Sequence, residues 1–357
     1  MPVQGLVRLR RHLFGRQQTF GVMVDATRAY PYKGTPEVEL NWTDPDVDMG
    51  SIDMVAAPHR EAPALTASLT DPQLAYNSLP QLLSAFFGGG VEPTGGGTAQ
   101  TWAFSPASAT VDPLDLHTYQ FGDDVLTDWY QLGDGILDSV EFAGPDGLGP
   151  VTTTMAWRFG SVQSTGSTDS PVVGVVPTAG LTVAGNEALV YLKDMSIFIA
   201  DSTAGLAAGQ ISDALHNFTL RLSAETDEKR WANGSQVFDV DAYARTSRSI
   251  ELECTFAKTD DTVGTGSESD DWMSDQAVDR YVRLTFTSTA FAEGVTPYSW
   301  TVDMPMRYYT RTEGEVGGNT VIVLTAHAWY DADDLDGIFE TTVVNTLTAA
   351  DLGLAGS

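Results

Sequence analysis

Ile250-Glu251-Leu252-Glu253-Cys254-Thr255-Phe256 is apolar at every second position, with Glu and Thr between. A period of two places the apolar side chains on one face of an extended strand and the polar ones on the other. The same alternation runs through Phe218, Leu220, Leu222 and Ala224, through Val282, Leu284 and Phe286, and through Trp300, Val302, Met304 and Met306. Thr320 to Tyr330 is a further strand, apolar on both faces across Val321–Leu324, which predicts cover on each side. The chain is therefore expected to be mainly β.

Helix signals are few. Pro80 opens Gln81-Leu82-Leu83-Ser84-Ala85-Phe86-Phe87, and Gly88–Gly90 stop it. A second short helix is expected from about Trp272 to Tyr281, entered through Ser269-Asp270-Asp271. Each helix follows two extended segments and precedes three strands. In the first half the extended segments are 28–42 and 52–70, and the strands lie near Trp102, Leu137–Phe142 and Thr152–Phe159. In the second half they are 214–240 and 248–257, then Val282–Phe286, Ser299–Met306 and Thr320–Tyr330. The order of elements recurs at an offset of roughly 170–195 residues, although residue identity hardly does. This predicts two tandem β-sandwich or open-barrel domains, each with one short flanking helix. The expected boundaries are an N-terminal arm (1–27), a first domain (28–162), a Ser/Thr/Gly/Pro-rich linker (163–185), a second domain (186–350) and a tail (351–357).

At 357 residues and 42% hydrophobic, the chain has material for two ordinary cores. Its charge is one-sided: 19 Lys+Arg against 48 Asp+Glu, a formal net charge of −29. Such a surface repels phosphates and anionic membranes, which argues against specific nucleic-acid recognition and suits a surface that DNA slides past. The acidity fits either a high-GC genome or adaptation to high salt. Cys254 is the only cysteine, so an intrachain disulfide is excluded and a buried inert thiol is expected. No apolar run reaches the roughly 20 residues of a membrane-spanning helix. Val3 to Phe14 mixes Arg with apolar residues, unlike a secretory signal, so folding in a reducing cytoplasm is expected.

Searches for chemistry end without a site. Gly88–Gly90 and Gly95–Gly97 follow a helix, the reverse of the strand-to-helix order of a phosphate loop. His12, His59, His117, His216 and His327 are scattered and form no ligand pair. Asp331-Ala332-Asp333-Asp334-Leu335-Asp336-Gly337 looks like a calcium loop, but counting back from Gly337 puts Ala332 first and Val343 twelfth, so it fails. Asp44-Pro45-Asp46-Val47-Asp48 fails because Gly50 comes one place late. Both read as solvated acidic loops. No catalytic residue, cofactor or metal is expected, and the chain is read as a non-enzyme. Arg8, Arg10, Arg11 and Arg16 concentrate positive charge at the start of an acidic chain, and are candidates for docking on a neighbouring subunit.

Several segments in order carry a family likeness. They are Arg16-Gln17-Gln18-Thr19-Phe20-Gly21, the helix ending Phe86-Phe87-Gly88, Asn217-Phe218-Thr219, and Glu225 to Trp231. Ser249-Ile250-Glu251-Leu252-Glu253, Arg280 to Leu284, Tyr298 to Met304 and Glu340 to Asn345 complete the set. Over nearly its whole length the chain resembles the major tail tube proteins of long-tailed, siphovirus-like viruses of bacteria or archaea. The resemblance implies a virion protein, assembled in the host cytoplasm into stacked rings that form a hollow conduit for genome DNA. Its partners would be its own copies, the tail terminator, tail tip and tape-measure proteins, and DNA passing without specific binding; no membrane is implied. Six domains make a ring in that family, so three chains of two domains would suffice, with a homohexamer as the alternative. Lateral pairing of sheet edges, closed by ring symmetry, would join them. Segments around Asn41 to Asp53 and Leu222 to Gln236 are candidate hairpins toward the next ring, with Trp42 and Trp231 as inter-subunit anchors. The competing expectation is a β-sandwich surface or fibre module, with Trp102, Trp129, Tyr130 and Trp157 as a carbohydrate platform.

Overall fold

Every period-two segment named above lies in a strand of the computed structural model. It describes residues 10–17, 19–39, 42–43, 59–60, 64–88, 91–105, 115–123, 128–145, 149–162, 182–183, 188–211, 215–229, 242–258 and 279–352. The first half contains β1 (Arg10–Gln17), β2 (Arg28–Tyr30), β3 (Lys33–Glu39), β4 (Trp42–Thr43), β5 (His59–Arg60) and β6 (Ala64–Asp71). Helix α1 (Leu79–Phe87), β7 (Gln100–Phe104), β8 (Leu116–Asp123), β9 (Asp128–Gly144), β10 (Thr152–Arg158) and β11 (Ser161–Val162) follow. Then come β12 (Thr182–Val183), β13 (Met195–Ala200), β14 (Gln210–Ile211), β15 (Leu215–Lys229) and β16 (Ala242–Ala257). The chain closes with β17 (Asp279–Glu293), β18 (Thr296–Val316), β19 (Asn319–Ala328) and β20 (Glu340–Asn345). The protein is mainly β and its pairing is antiparallel, apart from the short parallel pair of β12 with β2.

One scheme of pairing occurs twice. In the first half β1 pairs with β2 and β8, β8 with β9, β9 with β10 and β11, β10 with β6, and β6 with β3. In the second half β13 pairs with β14 and β17, β17 with β18, β18 with β19 and β20, β19 with β16, and β16 with β15. Even the irregularity recurs. Asp138 of β9 is an extra residue between partners of β10, and Tyr309 of β18 is an extra residue between partners of β19. A bulge of this kind bends the strand that carries it.

The layers pack face to face on large aromatic side chains. Phe14 of β1 meets Trp157 of β10 at 4.9 Å between ring centroids, and Phe218 of β15 meets Phe286 of β17 at 5.5 Å. Trp300 of β18 lies 5.0 Å from Phe142 of β9 and 4.9 Å from Phe286, with its indole N–H donating to Thr341 Oγ1. Since Phe142 belongs to the first half and Trp300 to the second, the two halves share an interior. The main apolar cluster runs through both, where two separate cores were expected.

Other boundaries also shift. Residues 10–17 are a strand of the fold and no free arm: His12 to Gln17 are buried, with Phe14 in the main cluster and Leu13 packed with Ala26 and Ala29 on the other face. Thr182–Val183, placed in the linker, pair with β2. Helix α1 does not flank the sheets: all nine of its residues are buried, it packs on β7 and β9, and Phe87 stacks on Phe339 at 4.9 Å. Gly88 stops it at φ 75°, a left-handed conformation suited to glycine. Of the second expected helix, Asp279–Tyr281 are strand and 272–278 lie outside the described residues.

Trp300 has no exposed surface and contacts both halves. Trp300→Ala is expected to destabilise the chain by about 3–5 kcal/mol. Chemical denaturation should show one transition losing both halves together; two transitions, with the first half unaffected, would contradict the shared interior.

Candidate assembly surface

The eight strands β3-β6-β10-β9-β15-β16-β19-β18 form one continuous antiparallel run. Its middle is the joint between the halves, where β9 lies along β15. Gly144 is opposite Phe218, Phe142 opposite Leu220, Glu141 opposite Arg221 and Val140 opposite Leu222. Gly144 is required there, since a Cβ on it would come within 2.6 Å of the Phe218 ring. Among the described residues β3 pairs on one side only, with β6. Beyond Arg307, β18 likewise has a partner on one side only, β19. Among the described residues the run therefore ends in two edges without a further strand partner, residues 33–39 and 309–316, the kind of edge that offers backbone N–H and C=O groups for pairing.

One face of the run is the buried interior; the other is polar. Thr66, Ser68, Thr154, Ser223, Ser249 and Glu253 lie on it in alternation with buried neighbours. A lateral ladder of ions crosses the joint on this face. Arg221 Nε donates to Glu141 at 2.7 Å and its Nη1 to Glu251 at 2.7 Å. The Tyr309 hydroxyl donates to Glu251 at 2.9 Å, and His327 Nε2 stands 3.8 Å from the same carboxylate. Partial burial pulls the Glu251 carboxyl up, but the Arg221 and Tyr309 hydrogen bonds outweigh it and leave it below its ordinary range. Those bonds, Glu141 first, also hold Arg221 more firmly protonated.

Two hairpins extend past the run. The strands β15 and β16 stay paired from Ser223–Ser249 out to Lys229–Ala242, beyond the last partners of β9 and β19. The connection from β3 to β6 contains β4 and β5, which pair with each other in a separate two-stranded sheet, with Trp42 opposite Arg60. Because β3 and β15 run in the same direction in the antiparallel order, both hairpins leave by the same rim. Arg158 ties the second to the first half: it pairs with Asp138 at 2.8 Å and its Nη1 donates to the Thr226 carbonyl at 3.3 Å, with Glu228 at 3.5 Å.

The candidate contact residues separate. Arg16 is buried and engaged within its own chain, donating to Asp115 Oδ1 at 2.5 Å and to the Val91 carbonyl. It therefore holds the fold and is withdrawn as an inter-subunit contact. Arg11 is exposed on β1. The backbone of Arg10 pairs with Asp123 and that of Trp42 with Arg60. Arg8, Trp231 and the acidic loop 44–48 lie outside the described residues. Trp102 and Trp157 are fully buried, so neither belongs to a surface sugar platform. Val323 is half-buried, so the second face of β19 is covered only in part.

The acidic loop at 331–337 satisfies itself. Asp331 is buried and accepts backbone N–H groups from Asp333 and Leu335 and the Tyr281 hydroxyl. Burial raises its carboxyl, and those donors reverse the effect and hold it below its ordinary range. Among the described residues no group of three or more His, Cys, Asp or Glu is arranged to hold a metal ion. Cys254 is buried, and burial pushes its thiol far above the ordinary range. No helix of the described residues is long and apolar enough to cross a membrane. No protein-family model matches the chain, and no curated protein matches its sequence.

Sequence reading missed β8 and the buried role of His117 in it. Leu116-His117-Thr118-Tyr119-Gln120-Phe121 alternates aromatic and polar residues, and both faces are buried. Burial, helped by the Arg16 charge, pushes His117 down to about 3 from 6.5. Between those values the unfolded chain binds a proton that the folded chain excludes, so stability is full above about pH 6.5 and falls as pH drops toward 3. His117→Gln is expected to flatten that slope in denaturation curves taken from pH 7 to 4; an unchanged slope would contradict this. Separately, Arg16→Ala is expected to cost about 3–5 kcal/mol of folding stability, because it removes the cation from a buried ion pair. An effect on assembly with unchanged stability would restore the docking reading.

Proposed function

We propose that this chain is a structural tube protein with no catalytic step, of the kind that forms the tail tube of a long-tailed virus. The observation that carries the reading is the eight-stranded run: two halves of like connectivity joined edge to edge, with an unpaired edge left at each end. We read the halves as tandem copies of one tube domain. A chain that already joins two such units has what it needs to join more, and heterologous joints close into a ring when the rotation per unit permits. Six units to a ring, as in the family the sequence resembles, require three copies of this chain. The polar face of the run, with Glu141, Glu251, Glu253 and the Ser/Thr rows, would be the wall of the channel. Fixed negative charge there repels phosphate and lets DNA pass without adhering. The two hairpins at one rim would reach the next ring, and terminator, tip and tape-measure proteins would complete the tail. Assembly in the host cytoplasm and residence in the virion tail follow from the same reading.

Burial of Trp102 and Trp157 weighs against the carbohydrate-binding module. Purified protein concentrated at low and at high salt and viewed by negative-stain electron microscopy tests the proposal. Hollow tubes or stacked rings are the expected result, with high salt favouring them by screening the formal charge of −29. Monomers under every condition, together with saturable glycan binding, would overturn it.

A further inference from the structure

We propose that the two open edges are the halves of a second joint, and that a neighbouring copy's β3 pairs with residues 310–315 of β18 in the register of the internal joint. The inference rests on the tube reading above and adds the partner edges, their alignment and a contact that fixes it. The register comes from rows of paired residues that cross each half. Pro36, Ala67, Trp157 and Leu137 form one row of the first half, and Leu220, Leu252, Ala326 and Tyr308 the matching row of the second. Gly34, Leu69, Met155 and Val140 match Phe218, Cys254, Leu324 and Arg311. The shared bulge at Asp138 and Tyr309 keeps the two halves in step.

Carrying the internal joint over these rows sets Glu313 opposite Pro36 of the next copy, as Phe142 is opposite Leu220. Thr312 then faces Glu37, Arg311 faces Val38, and Glu315 faces Gly34. The last pair again sets a glycine opposite a larger residue, as Gly144 is set opposite Phe218 inside the chain. Lys258 and Glu313 form an ion pair at 2.9 Å on this edge, with Arg311 at 3.6 Å from the same carboxylate. Pro36 lacks an N–H. Charges and a proline on an open edge discourage indiscriminate strand addition, so the joint forms only where the whole edge is matched.

A second element marks the same edge. Arg158 and Asp138 reach across the internal joint to the backbone at Thr226, at the base of the second hairpin. Their counterparts by row are His327 and Tyr309, whose rings stack at 4.2 Å and are 53% and 45% exposed at the side chain and residue level respectively. By count along the strand, Trp42 of the next copy stands where Thr226 stands inside the chain. The Tyr309–His327 stack is thus placed to hold the base of the neighbour's hairpin, as Arg158 and Asp138 hold the one within the chain.

Two double variants test the register by oxidative cross-linking: Glu37→Cys with Thr312→Cys, and the two-residue slip Thr35→Cys with Thr312→Cys. The native Cys254 is buried and stays in place. Opposite residues of antiparallel strands fall within disulfide reach, and slipped ones do not. Disulfide-linked chains are expected from the first pair under assembly conditions and not from the second. Rings that form with linking only in the slipped pair, or in neither, would overturn the register while leaving the tube reading intact. Absence of rings from the wild-type chain would overturn both. Tyr309→Ala is expected to raise the concentration at which rings appear by roughly tenfold or more with the monomer's thermal transition unchanged; an unaltered concentration would overturn the role given to the stack.

Discussion

Backbone pairing between β9 and β15 is the constraint on which the rest of the molecule depends. Six consecutive residue pairs, Ser139–Ser223 through Gly144–Phe218, turn two four-stranded halves into one sheet. A strand edge left in water presents a row of donors and acceptors at fixed spacing, and a second strand of suitable shape satisfies them all at once. Here the chain supplies that second strand to itself once. The same geometry leaves it with one edge of each kind. Packing follows from the joint, because Trp300 of the second half reaches Phe142 of the first only when β9 and β15 are aligned.

Much of this was legible in the sequence, for a definite reason. Strands with one wet face announce themselves by alternation, so Ile250–Phe256, Phe218–Ala224 and Trp300–Met306 could be placed from side chains alone. Strands buried on both faces carry a weaker signal. In β8 the polar residues Thr118 and Gln120 are as buried as Tyr119 and Phe121, and nothing in their period distinguishes that from a half-exposed strand. The arginines misled in a similar way. Arg16 looked like surface charge, and only the fold brings Asp115, far along the chain, against it.

The candidate assembly surface was legible only as a tendency. Acidity can be read from composition, but which strands end the sheet depends on pairing between distant segments. Gly144 illustrates the point. As sequence it sits in a glycine-rich turn region, while in three dimensions it is the notch that admits Phe218. The polar face is equally a product of topology, since Glu141, Arg221, Glu251, His327 and Tyr309 come from five strands and meet in one lateral ladder. Isolated surface ion pairs contribute little, commonly under about 1 kcal/mol each. The ladder's consequence is therefore charge placement on the polar face more than stability.

Hydrogen exchange at the two open edges, compared between dilute chains and assembled material, tests the central claim most directly. Exchange resolved by residue separates edge amides from those already paired within the chain. The account predicts that the outward-facing amides of Gly34–Glu39 and Thr310–Glu315, alternate residues of each strand with Pro36 contributing none, exchange freely in the single chain and gain protection together on assembly, while the β9–β15 joint is protected throughout. Assemblies in which both edges continue to exchange at the single-chain rate would contradict it, and would move the contacts between copies to another surface.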